Sequence, residues 1–168
     1  MIIRKAEIKD LKELLDIYNY EVEHGVATFD LKLKTLEEWK GWFSTHNVDN
    51  HPLFVAEVNN CVAGYASLSS YREKEAYKAT VELSIYIGAD YRKKGIASAL
   101  MAFILEEARK DEGIHTVVSV ITAGNEASRK LHEKFGFEYC GTIKEVGIKF
   151  GEYRDIENYR LGCRQTFQ

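Results

Sequence analysis

Residues 80–97 read TVELSIYIGADYRKKGIA, and this stretch decides the fold. Its first half alternates, with aliphatic residues at positions 81, 83, 85 and 87 and Glu82, Ser84 and Tyr86 between them, which predicts a strand over 80–87. Its second half is basic, ends at Gly95 and runs into aliphatic residues at helical spacing. A strand that leads through a basic glycine turn into an amphipathic helix is typical of an α/β protein that binds an anion.

Two helices are predicted before this stretch. Asp10 with Glu13 and Thr35 with Glu38 have capping-box spacing, and each pair precedes apolar residues at helical intervals. A looser segment, 26–30, separates the two helices. After the stretch, one helix continues from the glycine turn, with an apolar stripe at positions 96, 100, 104 and 108. A fourth helix begins at Asn125 and ends near residues 135–136.

Strands fill the rest of the chain. A short strand at residues 2–3 opens it, and a hairpin over 53–58 and 62–68 turns at an Asn-Asn pair. A β-branched strand over 116–122 is predicted at the centre of the sheet, and strands over 137–146 and 152–161 close the chain. The order β-α-α-β-β-β-α-β-α-β-β predicts an α/β (α+β) fold with a mixed sheet and helices on both faces, formed by residues 1–168 as one domain.

The amino-acid composition argues against several classes of protein function. The 168 residues are 45% hydrophobic and 29% charged, with a formal net charge of −3, so we expect a globular protein without a nucleic-acid partner. The N-terminus lacks a signal-peptide core, and no apolar run suggests a membrane partner. Three widely spaced cysteines without a CxxC pattern argue against a disulfide framework or metal site. We expect them reduced and buried, and we expect a cytoplasmic protein.

The basic turn is a candidate phosphate-binding site. A helix start presents unpaired N–H groups and the positive end of the helix dipole, and a glycine lets a ligand approach the backbone closely. The alternative is a solvated basic helix start, since short motifs of this kind often occur without function. The residues of the turn are Arg92, Lys93, Lys94, Gly95, Ile96 and Ala97.

Two signatures together resemble the GNAT acetyltransferase superfamily. Residues 92–97 match its [RQ]-x-x-G-x-[GA] acetyl-CoA motif. Residues 125–128 (NEAS) and 131–137 (LHEKFGF) are similar to its N-x-x-[AS] and L-Y-x-x-x-G-F segments. The resemblance covers nearly the whole chain and implies the GNAT fold, with a mostly antiparallel sheet of about seven strands. It also implies that acetyl-CoA is bound by residues 92–97, by Asn125 and by the strand residues Ile85, Tyr86 and Ile87.

A narrower resemblance is to phosphinothricin and methionine sulfoximine acetyltransferases. Residues 80–87 are similar to their T-V-E-x-S-V-Y-V strand, and His132 stands where most GNAT proteins have tyrosine. Residues 17–19, 28–29, 55–57 and 147–151 also fit, although Ile148 departs from the tyrosine or glutamine of relatives. The resemblance implies a homodimer that acetylates a small amino acid-like amine. No serine or cysteine lies in a recognisable nucleophile elbow, so we expect direct attack in a ternary complex, and the cysteine and histidine spacings predict no metal.

Glu82 and His132 are the candidate catalytic residues. Acetyl transfer needs a neutral amine, and Glu82 is a candidate base because glutamate is uncommon in the middle of a strand. The alternative for Glu82 is a solvated sheet face. His132 titrates near neutrality and can take or give a proton, while the alternative places it in solvent. The other four histidines, at positions 24, 46, 51 and 115, are expected on the surface.

The acceptor site is predicted from the same stretch and its flanks. Phe29, Ser84 and Glu82 are candidates for lining a small pocket, and Arg72 with Lys74 is a candidate clamp for a carboxylate. A solvated loop charge is the alternative for Arg72. Two other functions remain open: acetylation of a protein N-terminus or polyamine, and a non-catalytic acyl-CoA-binding sensor.

Overall fold

The computed structural model describes residues 1–164, and within them the predicted order of elements is confirmed. The strands are β1 Ile2–Lys5, β2 Leu53–Val58, β3 Cys61–Ser70, β4 Thr80–Ile87, β5 Thr116–Thr122, β6 Glu138–Lys149 and β7 Glu152–Gly162. The helices are α1 Leu11–His24, α2 Leu36–Ser44, α3 Ile96–Lys110 and α4 Glu126–Lys134.

The strands form one seven-stranded sheet in the order β1-β2-β3-β4-β5-β7-β6. Neighbours are antiparallel except for the parallel pair β4 and β5. The central strand is therefore β4, and the prediction that residues 116–122 lie at the centre is wrong by one position. β-branched residues favour strands in general, and this preference does not decide which of two neighbouring strands takes the centre.

β4 and β5 part in the middle of the sheet. Their ladder runs from Thr80–Thr116 to Glu82–Val118. Beyond that pair β4 continues along β3 as far as Ile87, while β5 continues along β7 to its own end. The divergence leaves a cleft between the two strands, with Glu82 at its closed end.

Separate cores fill the two faces of the sheet. On one face α3 packs its predicted stripe at 96, 100, 104 and 108 against β2, β3 and β4. The stripe is buried in a core that also includes Val81 and Val117. On the other face α1 and α2 cover β2 and β3, with Leu14, Trp39 and Tyr65 in the core. Each of these large side chains contributes roughly 1.5–3 kcal/mol by burial. Helices therefore cover both faces, as predicted.

The predicted helix caps have different outcomes. The Thr35 hydroxyl accepts from the Glu38 N–H at 3.1 Å and the Glu38 carboxylate accepts from the Thr35 N–H at 3.2 Å, which confirms this capping box. The box at Asp10 and Glu13 is wrong. A 3₁₀ turn, Ile8–Asp10, precedes α1, and the Asp10 carboxylate accepts from the Glu7 N–H one turn earlier. Asp10 also pairs with Arg4.

Two burial predictions are wrong. Cys61 and Cys140 are exposed and Cys163 is half-buried, because the first two lie on strands near sheet edges and turns. His46 is buried rather than on the surface, since it follows α2 and turns back onto the sheet.

The predicted turn at Asn59-Asn60 is confirmed, with both residues at positive φ as a type I′ turn requires. In residues 1–164 no helix has the length and apolar character needed to cross a bilayer.

Candidate active site

A cavity of about 560 Å³ lies on the α1 and α2 face of the sheet. Its floor is a row of alternate residues of β3 and β4, because side chains two apart on a strand point to the same face. Ser69 stands opposite Glu82, and Ser67 stands opposite Ser84. These four side chains line the cavity, together with Tyr86. The structure therefore brings the predicted acceptor residues Glu82 and Ser84 together.

Glu82 is the acidic residue of the floor that lies at the closed end of the cleft. It is half-buried, and burial raises the pKa of its carboxyl above the ordinary value for glutamate. A carboxylate with a raised pKa is a stronger base, which suits proton abstraction from an amine near neutral pH. The solvated-face alternative for Glu82 does not describe this environment.

The wall of the cavity is aromatic. Tyr18 stacks on Trp39 with ring centroids 4.5 Å apart, and Trp39 stacks on Trp42 at 4.3 Å. Tyr65 and Tyr86 close the wall from the sheet side. The place of Tyr18, Trp39 and Trp42 in the site was not predicted from the sequence, because the same helical spacing describes a core face and a cavity wall.

The segment 26–30 forms the third side, and Phe29 lines the cavity as predicted. Lys149 of β6 is buried, and its Nζ donates to the Thr28 carbonyl oxygen at 2.8 Å. The Phe29 ring also packs onto Gly147, where an added Cβ would lie 2.5 Å from the ring. A lysine anchor and a glycine without a side chain thus fix this segment over the cavity. Neither role was predicted from the sequence.

Charge in the cavity is mostly negative. Asp30 and Glu38 line it with Glu82, and Lys34 is its cation among the described residues. Lys34 lies 3.6 Å from Asp30 and is partly neutralised by it. The cavity therefore suits a positively charged group, such as the ammonium of an amine before it loses its proton.

The basic turn lies beyond β4, at the start of α3. Gly95 has a φ of 81°, and the space around an added Cβ is open. The Gly95 carbonyl accepts the Ala99 N–H, and no side chain among the described residues caps the helix start. Backbone N–H groups of the first turn, including Ile96 and Ala97, are therefore available to an anion such as a pyrophosphate. The turn residues thus fit the phosphate-binding prediction.

The side chains of the turn have partners of their own. The Arg92 guanidinium donates to Glu21 at 3.1 Å, and Lys94 lies over the Tyr91 ring at 5.8 Å. Lys93 takes a positive φ of 62°, which bends the backbone into the turn. The strand residues 85–87 border the cleft that leads from this turn to Glu82. Their contact with acetyl-CoA stays a prediction, as does that of the turn.

His132 is buried on the opposite face of the sheet from Glu82. Its Nδ1 lies 2.7 Å from the Ser128 carbonyl oxygen and its Nε2 lies 2.9 Å from the Ser119 hydroxyl. Ser119 follows Val118 on β5 and shares the α3 face with its core neighbours. The solvent-facing alternative is therefore wrong, and burial lowers the pKa of the imidazole. The acid–base role of His132 stays a prediction.

The remaining predicted residues lie outside the cavity. Asn125 is the N-cap of α4, and its side chain accepts from the Ser128 N–H at 3.2 Å. Arg72 is exposed, with its guanidinium carbon 5.0 Å from the Tyr71 ring centroid. Neither Arg72 nor Lys74 lines the cavity formed by residues 1–164. Their role as a carboxylate clamp, and the pantetheine contact of Asn125, stay predictions.

Comparisons with known proteins agree with this geometry. Residues 10–137 match the model of the Acetyltransferase (GNAT) family. The methionine sulfoximine and methionine sulfone acetyltransferase of Pseudomonas aeruginosa is 36% identical, with 98% of this chain and 95% of that protein covered.

Two solved structures share the fold. A phosphinothricin acetyltransferase of Sinorhizobium meliloti in complex with acetyl-CoA superposes with a TM-score of 0.92 at 32% identity, covering 96% of this chain and 87% of that one. A structure described as a ribosomal-protein-alanine N-acetyltransferase from Brucella melitensis superposes at 0.93 with 40% identity, covering 96% and 99%. The chain belongs to the GNAT acetyltransferase family and is an acetyl-CoA-dependent N-acetyltransferase.

Proposed function

We propose that this protein acetylates the amine of a small amino acid-like acceptor, with phosphinothricin and methionine sulfoximine among its substrates. The observation that carries the proposal is the position of Glu82. It lies on the floor of a cavity large enough to hold an amino acid and at the closed end of the cleft that begins at the phosphate-binding turn. The relatives whose names specify those two acceptors support the substrate class.

Glu82 acts as the base. Acetyl-CoA, held by the turn 92–97 and along 85–87, supplies the acetyl group as an activated thioester. The acceptor ammonium enters the acidic cavity, and the Glu82 carboxylate takes one of its protons, which leaves a neutral nitrogen that attacks the thioester carbonyl. The C–N bond forms and the C–S bond breaks, and CoA leaves as the free thiol with the second proton that the nitrogen gives up. The aromatic wall of Tyr18 and Trp39 excludes water around the reacting nitrogen. No covalent enzyme intermediate is required.

A protein N-terminus or a polyamine is the second candidate acceptor. The excess of carboxylates in the cavity favours a cationic acceptor, and the similarity to the Brucella structure points to an alanine N-terminus. A non-catalytic acyl-CoA sensor does not agree with the family match and the N-acetyltransferase relatives.

Release of free thiol from acetyl-CoA tests the proposal. The panel contains phosphinothricin, methionine sulfoximine, a polyamine and a peptide with N-terminal alanine. We expect the two amino acid analogues to give the highest kcat/KM. Efficient turnover of the polyamine or peptide, with none of the analogues, would assign the alternative. Absence of thiol release with every amine would contradict the proposed acceptor class.

Arg72→Ala tests the carboxylate clamp within the same assay. We expect KM to rise about 10-fold for acceptors with a carboxylate, as for loss of one charged hydrogen bond, and to stay unchanged for amines without one. Lys74 lies on the same loop and reduces the effect if it compensates. Equal effects on both kinds of acceptor would remove Arg72 from the site.

We further propose a cytoplasmic homodimer built from this single domain. The β6–β7 hairpin supports the dimer because it exposes large apolar side chains, including Ile143, Val146, Phe150 and Tyr153. Three cysteines without disulfides support a reducing compartment. Light scattering coupled to size-exclusion chromatography tests the dimer, and a monomer at micromolar concentration would contradict it. The absence of nucleic-acid and membrane partners stays a prediction.

A further inference from the structure

A second histidine–serine pair lies on the cavity face of the sheet. His46 follows α2 and is buried. Its Nε2 lies 2.8 Å from the Ser69 hydroxyl oxygen, and its Nδ1 lies 2.9 Å from the Trp42 carbonyl oxygen. Ser69 belongs to β3 and lines the cavity. The pair therefore connects the end of α2 to the cavity floor.

The contacts fix the direction of each hydrogen bond. A carbonyl oxygen only accepts, so the Nδ1 that faces Trp42 carries the imidazole hydrogen. The Thr45 hydroxyl also lies 3.1 Å from Nδ1, but it donates its own hydrogen to the Trp42 carbonyl at 2.7 Å and can only accept from the ring. Burial lowers the pKa of His46, which keeps the ring neutral and leaves Nε2 as an acceptor. The Ser69 hydroxyl accordingly donates its hydrogen to Nε2. With that hydrogen held away from the cavity, the Ser69 oxygen presents only lone pairs to it.

Ser69 and Glu82 are direct cross-strand partners in the β3–β4 ladder. Directly opposite residues on one face of an antiparallel pair have Cβ atoms about 5 Å apart. A nitrogen between the two side chains can therefore donate one hydrogen to the Glu82 carboxylate and a second to the Ser69 oxygen. Two fixed acceptors define the orientation of the nitrogen, whereas one leaves it free to rotate.

We propose that Ser69 is a specificity-determining contact for the acceptor amine and that His46 is the residue that positions its hydroxyl. The proposal rests on the proposed function, since it takes Glu82 as the base. Ser69 holds one N–H of the acceptor while Glu82 removes a second hydrogen as a proton. The neutral nitrogen then turns about its hydrogen bond to Ser69, which brings the lone pair toward the thioester carbonyl. His46 does not touch the acceptor and acts only through the Ser69 hydrogen.

Steady-state kinetics of Ser69→Ala test the contact. We expect the KM of the acceptor to rise about 10- to 100-fold, as for loss of a hydrogen bond to a charged group, with the KM of acetyl-CoA unchanged. Ser69→Thr keeps a hydroxyl on a strand position and should restore most of the acceptor affinity. An acceptor KM at the wild-type level in Ser69→Ala would overturn the proposal.

His46→Asn tests the positioning role. The Asn side-chain amide nitrogen can replace Nδ1 as donor to Trp42, so the end of α2 is kept, while the acceptor for the Ser69 hydrogen is lost. We expect an acceptor KM about 3- to 10-fold higher, a smaller effect than that of Ser69→Ala. Ser44→Ala is the matched control, since it removes an exposed hydroxyl bond at the same helix end and should leave both KM values unchanged. Equal rises in the KM of both substrates would assign His46 a structural role only.

Nitrogen chemical shifts of the histidine rings give a readout that needs no turnover. Long-range proton–nitrogen correlation spectra should show His46 neutral, with the hydrogen on Nδ1, and Ser69→Ala should shift its Nε2 resonance. A charged ring, or a hydrogen on Nε2, would overturn the assignment. Failure of the proposed function is distinct, because it would appear as a wild-type enzyme that releases no thiol with any amine in the panel.

Discussion

His46 and His132 have nearly the same local structure on opposite faces of the sheet. Each ring donates from Nδ1 to the carbonyl four residues earlier and accepts at Nε2 from a serine of a strand next to β4. The serine of His46 faces the cavity with Glu82, and the serine of His132 faces the core beneath α3. An identical hydrogen-bond pattern can thus serve an acceptor site or a core position, because strand alternation decides which face the serine reaches.

The largest expected effect lies on the cavity face, at Glu82. Glu82→Gln keeps the shape of the side chain and removes the base, so kcat should fall about 10²- to 10⁴-fold with little change in acetyl-CoA binding. The raised pKa of Glu82 means that wild-type kcat rises with pH as the carboxylate forms, and this dependence should disappear in the variant.

Glu82→Gln should lower kcat but raise the stability of the folded protein. The folded state raises the pKa of Glu82, so stability falls as the pH rises from the unfolded-state pKa to the folded-state pKa of this half-buried group, and the full cost is present above the folded-state value. Glu82→Gln removes that cost and should raise Tm at neutral pH, measured by thermal unfolding. A wild-type rate in the variant from about pH 6 to pH 9 would remove Glu82 from the mechanism.

Substitutions in the phosphate-binding turn should weaken acetyl-CoA binding without acting through the acceptor cavity. Gly95→Glu forces a side chain into a left-handed backbone conformation and places a carboxylate at the helix start, so acetyl-CoA should bind about 10- to 100-fold more weakly. Gly95→Ala is the matched control, because it shares the backbone cost without the charge. Calorimetry with CoA measures both, and wild-type affinity in Gly95→Glu would refute the assignment.

His132→Asn sharpens the contrast between the two histidines. The variant leaves the buried Ser119 hydroxyl without its acceptor, so the free energy of unfolding should fall by about 1–3 kcal/mol. The acceptor KM should not change, since Ser119 faces away from the cavity. A fall in kcat at constant KM would give His132 the proton-transfer role that the family resemblance implies. A rise in acceptor KM as large as that of Ser69→Ala would contradict the conclusion that only the cavity face of the sheet contacts the acceptor.

The smallest expected effect is at Gly147, which packs against the Phe29 ring that lines the cavity. A methyl group there would meet the Phe29 ring, so Gly147→Ala should displace Phe29 and raise the acceptor KM by roughly 3-fold, with acetyl-CoA binding unchanged. Gly41→Ala is the control, because an added methyl group there has open space and α2 tolerates it. An unchanged acceptor KM in Gly147→Ala would show that Phe29 does not shape the pocket.

The sequence determined the elements and the chemistry of β4. Alternation along 80–87 and the helical stripe that follows Gly95 depend on neighbours close in the chain, so the strand, the turn and the face that carries Glu82 follow from local rules. The Thr35 and Asn125 caps are local in the same sense. The Asp10 cap failed because a competing partner one turn earlier satisfies the same rule.

Only the tertiary structure decided which distant residues meet at Glu82. Ser69 reaches it through the β3–β4 register, and a shift of one residue would turn the serine to the other face. His46 hydrogen-bonds Ser69 and Lys149 hydrogen-bonds Thr28, each from an element far away in the chain. Neither residue lies in a sequence pattern that predicts burial. Strand order likewise depends on hydrogen bonds between distant segments, so β4 rather than β5 takes the centre. Contacts of this kind form only when separate elements pack together, and no local spacing in the sequence records them.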